Sequence, residues 1–296
     1  MKNKAIVSGV IVPVITPVDN NECVDEKAFR QVIRRCLHAG VSGIFVGGSA
    51  GMGPLLSESQ WKRTINIARD EVDDTHFLLG GAIATSTAIA IERIKFLEAM
   101  GYNHVVVTPT YYISLCYDHQ FLKHFGECRQ ATDINMIIYN IPSCTNSRIP
   151  IKVLEYMANL GWYKTIKESS GDKKYFEQAM ELAITYNLSL LQGNEPDIEW
   201  GLNLGAGGIV PVCANYEPST FVAAINASQN GDRQLLQRIQ GRINHIRDIL
   251  LVKPENWIAG IMYGLCSLGI GNGIPVRPIL EISIDAKKRI DMLDIW

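Results

Sequence analysis

The stretch YKTIKESSGD, at positions 163–172, carries lysine within an apolar run that ends in small residues. Lysine is seldom buried without a reason, because removing an ammonium from water costs far more than its stem gains. If the run is a strand, alternation places Tyr163, Thr165 and Lys167 on one side. Inside a barrel, desolvation would lower the pKa of Lys167 and supply a neutral amine that attacks a carbonyl carbon. The alternatives are a solvated strand-end lysine or a structural pair with Glu168.

A tyrosine lies 28 positions before that lysine, in the apolar run NMIIYNIP (135–142). This spacing accommodates one helix and one loop, so Tyr139 and Lys167 would end adjacent strands about 4.8 Å apart. A phenol beside an imine-forming amine can transfer protons at carbinolamine and carbon–carbon bond steps. The alternative is that Tyr139 is a core aromatic residue at the rim of the sheet.

Small residues dominate a third stretch, GGSAGMG at positions 47–53. Such a loop can expose consecutive backbone N–H groups that bind a carboxylate, although glycine-rich turns are also common between strands and helices. The hydroxyl of Ser49 could join a proton relay with Tyr139. The backbone candidates for the carboxylate site are Gly48, Ala50 and Gly51.

Three further strand ends carry candidate substrate contacts. The run TPTYY ends in Tyr111 and Tyr112, which enter their own site, cross to a neighbouring subunit or form a plain interface patch. The runs LQGNEPD and GGIVPVCAN offer backbone near the same edge and polar groups for the distal part of a substrate. Their candidate residues are Gly193, Asn194, Glu195 and Val210.

Eight short apolar runs, each followed by an amphipathic segment of helical length, must position these side chains. The runs cover 10–16, 43–48, 76–82, 104–109, 135–142, 163–169, 188–194 and 207–212. This count predicts an α/β fold, a (β/α)8 TIM barrel over residues 1–228, whose catalytic groups lie at the C-terminal strand ends. Residues 229–296 are predicted to form an appended C-terminal helical bundle. The rival is a doubly wound sheet, but GGSAGMG does not fit G-x-G-x-x-G.

Composition narrows the class of protein. The chain has 296 residues, of which 47% are hydrophobic and 20% charged, and its net charge is -2 without a basic cluster. We therefore expect no nucleic-acid partner. No apolar run reaches the roughly 18 residues of a membrane span, and seven cysteines without a CxxC pair or a leader predict free thiols and a cytoplasmic location. No histidine ends a strand beside a carboxylate, so no metal is expected.

Taken together, ITP (15–17), GGSAG (47–51), VTPTYY (107–112), YNIP (139–142) and IKESSGD (166–172) resemble the dihydrodipicolinate synthase / N-acetylneuraminate lyase family of class I Schiff-base aldolases. The resemblance runs over about residues 6–290. It implies that Lys167 forms an imine with pyruvate or a related 2-keto acid and that Tyr139 is the general acid/base. It further implies a carboxylate-binding relay at Ser49, a Tyr111 or Tyr112 donated across a dimer interface, no cofactor, and a homotetramer built from dimers.

Three positions depart from the family pattern. Ala50 lacks the second hydroxyl of the G-[TS]-T-G loop, and Met52 replaces a common glutamate. Cys144 occupies the position of the arginine in Y-N-x-P-x-R, which holds the carboxylate of the aldehyde substrate in the synthases. A neutral thiol offers neither the charge nor the bidentate geometry of arginine.

Four functions therefore stay open. The general one is aldol-type formation or cleavage of a carbon–carbon bond between a 2-keto acid and an aldehyde through the Lys167 imine. The narrower ones are a true 4-hydroxy-tetrahydrodipicolinate synthase and a lyase for N-acetylneuraminate or a 2-keto-3-deoxy sugar acid. The non-enzymatic one is a catalytically weak relative that binds a keto acid.

Overall fold

Parallel strands close into a barrel in the computed structural model, which describes residues 6–251 and 256–295. All eight strands pair in chain order, and β1 closes the ring against β8. The strands are β1 (Gly9–Pro13), β2 (Gly43–Val46), β3 (Phe77–Gly81), β4 (His104–Val107), β5 (Asn135–Asn140), β6 (Thr165–Glu168), β7 (Ser189–Gln192) and β8 (Gly208–Ile209). The predicted (β/α)8 fold is confirmed, and each strand lies within its predicted run or begins one residue before it.

Helices connect the strands and cover the outside of the barrel. They are α1 (Glu26–His38), α2 (Glu58–Glu71), α3 (Thr87–Ala99), α4 (Asp118–Gln130), α5 (Pro142–Thr145), α6 (Ile151–Asn159), α7 (Lys173–Thr185), α8 (Ile198–Asn203) and α9 (Pro218–Gln229). Their starts follow the local sequence: Asp25 caps α1 by accepting a hydrogen bond from the Ala28 amide at 3.0 Å. Across the described residues, no helix combines the length and apolar character that a membrane span requires.

Ser57 caps α2 through the Gln60 amide, and the Gln60 side chain accepts from the Val24 amide. One local prediction needs correction. Tyr163 does not share the interior side of Lys167: it precedes β6, packs against the outer helices and donates to the Leu154 carbonyl at 3.0 Å. Strand alternation does not extend to a residue outside the strand.

The inside of the barrel is a separate apolar cluster from the layer between strands and helices. Its members include Phe45, Ile137, Tyr139, Leu191 and Val210, which come from four different strands or strand ends. Such layers of inward-facing side chains make the barrel a packed core rather than a pore. A polar side chain at the top of this cluster is therefore shielded from water by its neighbours.

A C-terminal helical part follows the barrel: α10 (Arg233–Leu250), α11 (Trp257–Ser267) and α12 (Ile284–Asp291). The predicted boundary near residue 228 falls at the end of α9, while residues 1–5, 252–255 and 296 lie outside the described residues. Arg242 on α10 forms a buried ion pair with Glu217 at 2.5 Å and also contacts the Asp294 carbonyl. Because one lost partner would leave a buried charge, this pair anchors the extension to the barrel.

Candidate active site

Lys167 is the central side chain of the site. It is 6% exposed at the end of β6, and its Nζ lies 4.0 Å from the centroid of the Tyr139 ring and 5.0 Å from that of Phe45. Burial lowers the pKa of Lys167 to about 7, and the neighbouring Cys144 thiol opposes this shift weakly. A large fraction of the amine is therefore neutral near pH 7, which is the form that attacks a carbonyl carbon.

The alternative in which Lys167 pairs with Glu168 is wrong. The Glu168 carboxylate accepts hydrogen bonds from Asn140 Nδ2 at 2.9 Å and from the Ser170 amide at 3.0 Å. Successive residues of a strand face opposite sides, so this carboxylate lies on the side of the strand away from the amine. Burial raises the pKa of Glu168, and the Ser170 and Asn140 hydrogen bonds oppose that rise.

Tyr139 is the direct neighbour of Lys167 in the sheet. The two residues are paired in the parallel register of β5 and β6, so the prediction from their spacing is confirmed. Tyr139 is 3% exposed, and burial raises its pKa, while the hydroxyls of Ser169 and Ser49 counteract the rise. The phenol therefore keeps its proton near neutral pH and has hydroxyl groups beside it through which a proton can pass.

The loop after β2 presents backbone donors to the same space. The amides of Ser49, Ala50 and Gly51 hydrogen-bond to no acceptor among the described residues, whereas the next two amides close the turn onto Ser49 and Gly48 carbonyls. Consecutive N–H groups without an acceptor can bind an anion, so the carboxylate site predicted from the sequence stays a prediction for this loop. Gly48 is required here because a Cβ would lie 2.7 Å from the Phe45 ring.

These groups line one cavity of about 310 Å³ at the C-terminal ends of the strands. Of the residues predicted from sequence, it contains Lys167, Tyr139, Ser49, Ala50, Gly193, Asn194 and Val210. Glu195 also lines it, with its carboxylate accepting from the Cys213 amide at 2.7 Å. The volume is at the small end of ligand sites, which suits a keto acid and a short aldehyde.

Four predicted residues do not line the cavity. Gly48 and Gly51 shape the loop from behind, where Gly51 accepts from the Thr16 hydroxyl at 2.8 Å. Tyr111 packs against the interior cluster, whereas Tyr112 is 83% exposed with a positive φ of 77°. The structure thus separates the tyrosine pair: one contributes to the barrel of its own chain and the other projects outward.

The cavity also contains residues that strand-end reasoning missed. Ser143 and Cys144 come from α5, a single turn that begins at Pro142, and Ser169 follows β6. Arg247, Leu251 and Trp257 come from the C-terminal helices and their connection. The alternation of strands and helices gave no signal for these last three, because they follow the last strand, β8, by more than 30 residues.

Comparisons with known proteins agree with this geometry. The model of the dihydrodipicolinate synthetase family matches residues 6–293. A 4-hydroxy-tetrahydrodipicolinate synthase of Methanothermobacter thermautotrophicus is 26% identical over 253 residues, covering 84% of this chain and 89% of that protein. An uncharacterized DapA-like lyase of Pyrococcus horikoshii is 29% identical over 92% of this chain and 93% of its own. A crystal structure of dihydrodipicolinate synthase superposes with a TM-score of 0.88 at 26% identity, covering 96% and 97% of the two chains.

Proposed function

Because the chain belongs to the dihydrodipicolinate synthetase family, whose members are Schiff-base lyases, we propose that Lys167 forms an imine with pyruvate or a pyruvate-derived 2-keto acid. The observation that carries this proposal is a buried amine, with its pKa lowered to about 7, against the Tyr139 ring. The activity is aldol-type formation or cleavage of a carbon–carbon bond.

The proposed reaction assigns one role to each group. Neutral Lys167 Nζ attacks the keto carbon, and the carbinolamine loses water to give the imine, with Tyr139 returning a proton to the departing hydroxyl. Loss of a proton from C3 gives the enamine, whose C3 attacks the aldehyde carbon, and the aldehyde oxygen takes up a proton through Tyr139 and Ser49. Water then hydrolyses the product imine and frees the amine. The amides of Ser49 and Ala50 hold the substrate carboxylate, and no further cofactor is needed in this scheme because the imine itself accepts the electron pair.

The candidate activities differ in the aldehyde that reacts with the enamine. Cys144 lines the cavity at the position where the resemblance places the carboxylate-binding arginine of the synthases. A thiol cannot take over this contact, which favours a lyase for a 2-keto-3-deoxy acid, or a synthase that holds its aldehyde through other groups. The site does not support the non-enzymatic alternative, because binding a keto acid does not require an amine with a lowered pKa.

Covalent trapping tests the imine directly. Incubation with pyruvate and borohydride should add a reduced pyruvate adduct to one lysine, located at Lys167 by peptide mass spectrometry. The Lys167→Ala variant should lose the adduct, and Lys164→Ala, which removes an exposed lysine three residues away, should keep it. An adduct that survives in Lys167→Ala, or none in the parent protein, would contradict the proposed function.

Tyr139 should control proton transfer rather than imine formation alone. We expect Tyr139→Phe to slow deuterium exchange at the pyruvate methyl group in D₂O by roughly 10²–10⁴-fold, the usual contribution of a general acid/base. NMR follows this exchange without an aldehyde substrate. The control Tyr156→Phe alters an exposed tyrosine on α6 and should exchange at the parental rate. An unchanged rate in Tyr139→Phe would remove the phenol from the mechanism.

We further propose that the protein acts as a homotetramer made of two dimers, in the cytoplasm that its seven free thiols suit. The loop after β4 supports the dimer contact: Tyr112, Ile113 and Tyr117 are 83%, 69% and 64% exposed. Large apolar side chains clustered on a surface mark interaction sites. Of the tyrosine pair, Tyr112 is the better candidate to cross to a second subunit, because Tyr111 packs against its own barrel.

Sedimentation velocity checks this assembly. The parent protein should sediment as a tetramer, and Ile113→Asp should dissociate its dimers because a carboxylate cannot be desolvated in that contact. The matched control is Ile284→Asp on α12, which is similarly exposed at 72% and should leave the assembly intact. A monomeric parent protein, or an intact tetramer in Ile113→Asp, would contradict the proposed contact.

A further inference from the structure

Among the described residues that line the cavity, Arg247 is the one arginine and Lys167 is the other basic residue. It lies in the last turn of α10, so it reaches the cavity from the C-terminal helices rather than from a strand end. An arginine guanidinium stays charged near neutral pH, whereas about half of the Lys167 amine is neutral at pH 7. Within the described lining, Arg247 therefore supplies a positive charge that does not depend on pH near neutrality.

The guanidinium of Arg247 is not committed to another group in the described part of the chain. No hydrogen bond joins it to an acceptor there, and its ion pair is a 3.7 Å approach to Asp248, whose side chain is 75% exposed. Adjacent residues on a helix do not face one another, and an exposed ion pair with this N–O separation contributes little to the stability of the fold. The fork of N–H donors is thus free to meet a ligand.

Glu195 is the acidic residue in the described lining of the cavity, and it forms no direct ion pair with Arg247. Its two oxygens contact the amide and the thiol of Cys213, at 2.7 and 3.3 Å. No ion pair within 4.0 Å joins it to Arg247 in the described residues. Burial raises the pKa of Glu195, while the Cys213 contacts and the charge of Arg247 oppose the rise.

These groups define how a substrate would be oriented in the cavity. In the proposed mechanism the amides of Ser49 and Ala50 bind the first carboxylate, Lys167 holds the adjacent keto carbon, and the rest of the substrate extends into the remaining space. Arg247 lines that space, and Cys144 does not provide the positively charged side chain that an arginine would provide at its position. A planar guanidinium binds the two oxygens of a carboxylate in a bidentate manner, and partial desolvation strengthens that contact.

We propose that Arg247 is a specificity-determining residue that binds a second carboxylate, at the end of the substrate far from the keto carbon. The preferred substrates are then 2-keto dicarboxylic acids, formed from or cleaved to pyruvate and an aldehyde that carries a carboxylate. This inference rests on the proposed imine at Lys167. The carboxylate of the aldehyde is then bound by Arg247 on α10, in the C-terminal helical part, and not at the position of Cys144.

Borohydride trapping with matched keto acids tests the inference without knowing the natural aldehyde. The probes are 2-oxoadipate against 2-oxohexanoate, and 2-oxoglutarate against 2-oxopentanoate, because each pair differs in a terminal carboxylate at equal chain length. In the unsubstituted protein, the concentration that gives half-maximal trapping should be about 10- to 100-fold lower for at least one dicarboxylate than for its monocarboxylate partner. This ratio is what a hydrogen bond to a charged group contributes to binding. Arg247→Met should abolish this ratio, and Arg247→Lys should retain part of it.

The matched control is Arg238→Met, which removes an exposed arginine from the same helix and should keep the parental ratio. A parent protein that traps pyruvate but shows no preference, or traps none of the longer acids, overturns the inference alone. A preference that survives Arg247→Met overturns it as well. If pyruvate itself is not trapped, the proposed imine fails first, and the inference fails with it.

Discussion

Removal of one lysine from water is the constraint on which the rest of this structure depends. The interior cluster and the closed ring of strands exclude solvent from Lys167, and this lowers the pKa of Lys167 to about 7. Two aromatic rings near the amine favour its charged form, but such contacts contribute about 1–2 kcal/mol. The lowered pKa corresponds to roughly 5 kcal/mol against the ammonium. Desolvation therefore dominates, and about half of the amine is in its neutral, reactive form at pH 7.

The parts of the site that depend on chain order were predictable from the sequence. Tyr139 and Lys167 end adjacent strands because parallel strands joined by one helix pair in chain order, and their direct register follows from the spacing. The loop after β2, with three amides that have no acceptor among the described residues, was predictable from its small residues. Tyr163 was placed on the wrong side, because alternation was extended past the start of β6. Arg247 and Trp257 could not be found, since helical periodicity does not indicate which barrel end the extension covers.

The two parts of the chain contribute different halves of the chemistry. In the proposed mechanism the barrel supplies the nucleophile, the phenol and the carboxylate amides, which suit any 2-keto acid. The C-terminal helices, joined to the start of α9 through Arg242 and Glu217, place Arg247 and Trp257 at the same cavity. Because the resemblance would place an arginine where this chain has Cys144, the proposed choice of aldehyde depends on Arg247. Under both proposals, the reaction type depends on burial inside the barrel, and specificity depends on the charge of Arg247.

The most direct test of the account is a titration of Lys167 itself. Protein labelled with ¹³C at the lysine ε-carbons, followed by NMR against pH, should show one signal with a midpoint near the pKa of about 7, which disappears in Lys167→Met. Because the amine loses its proton as pH rises, this signal should move to the neutral-amine position well below the titration of ordinary lysines at about 10.4. If every lysine signal titrates near that ordinary value, Lys167 is charged at neutral pH and the account is contradicted.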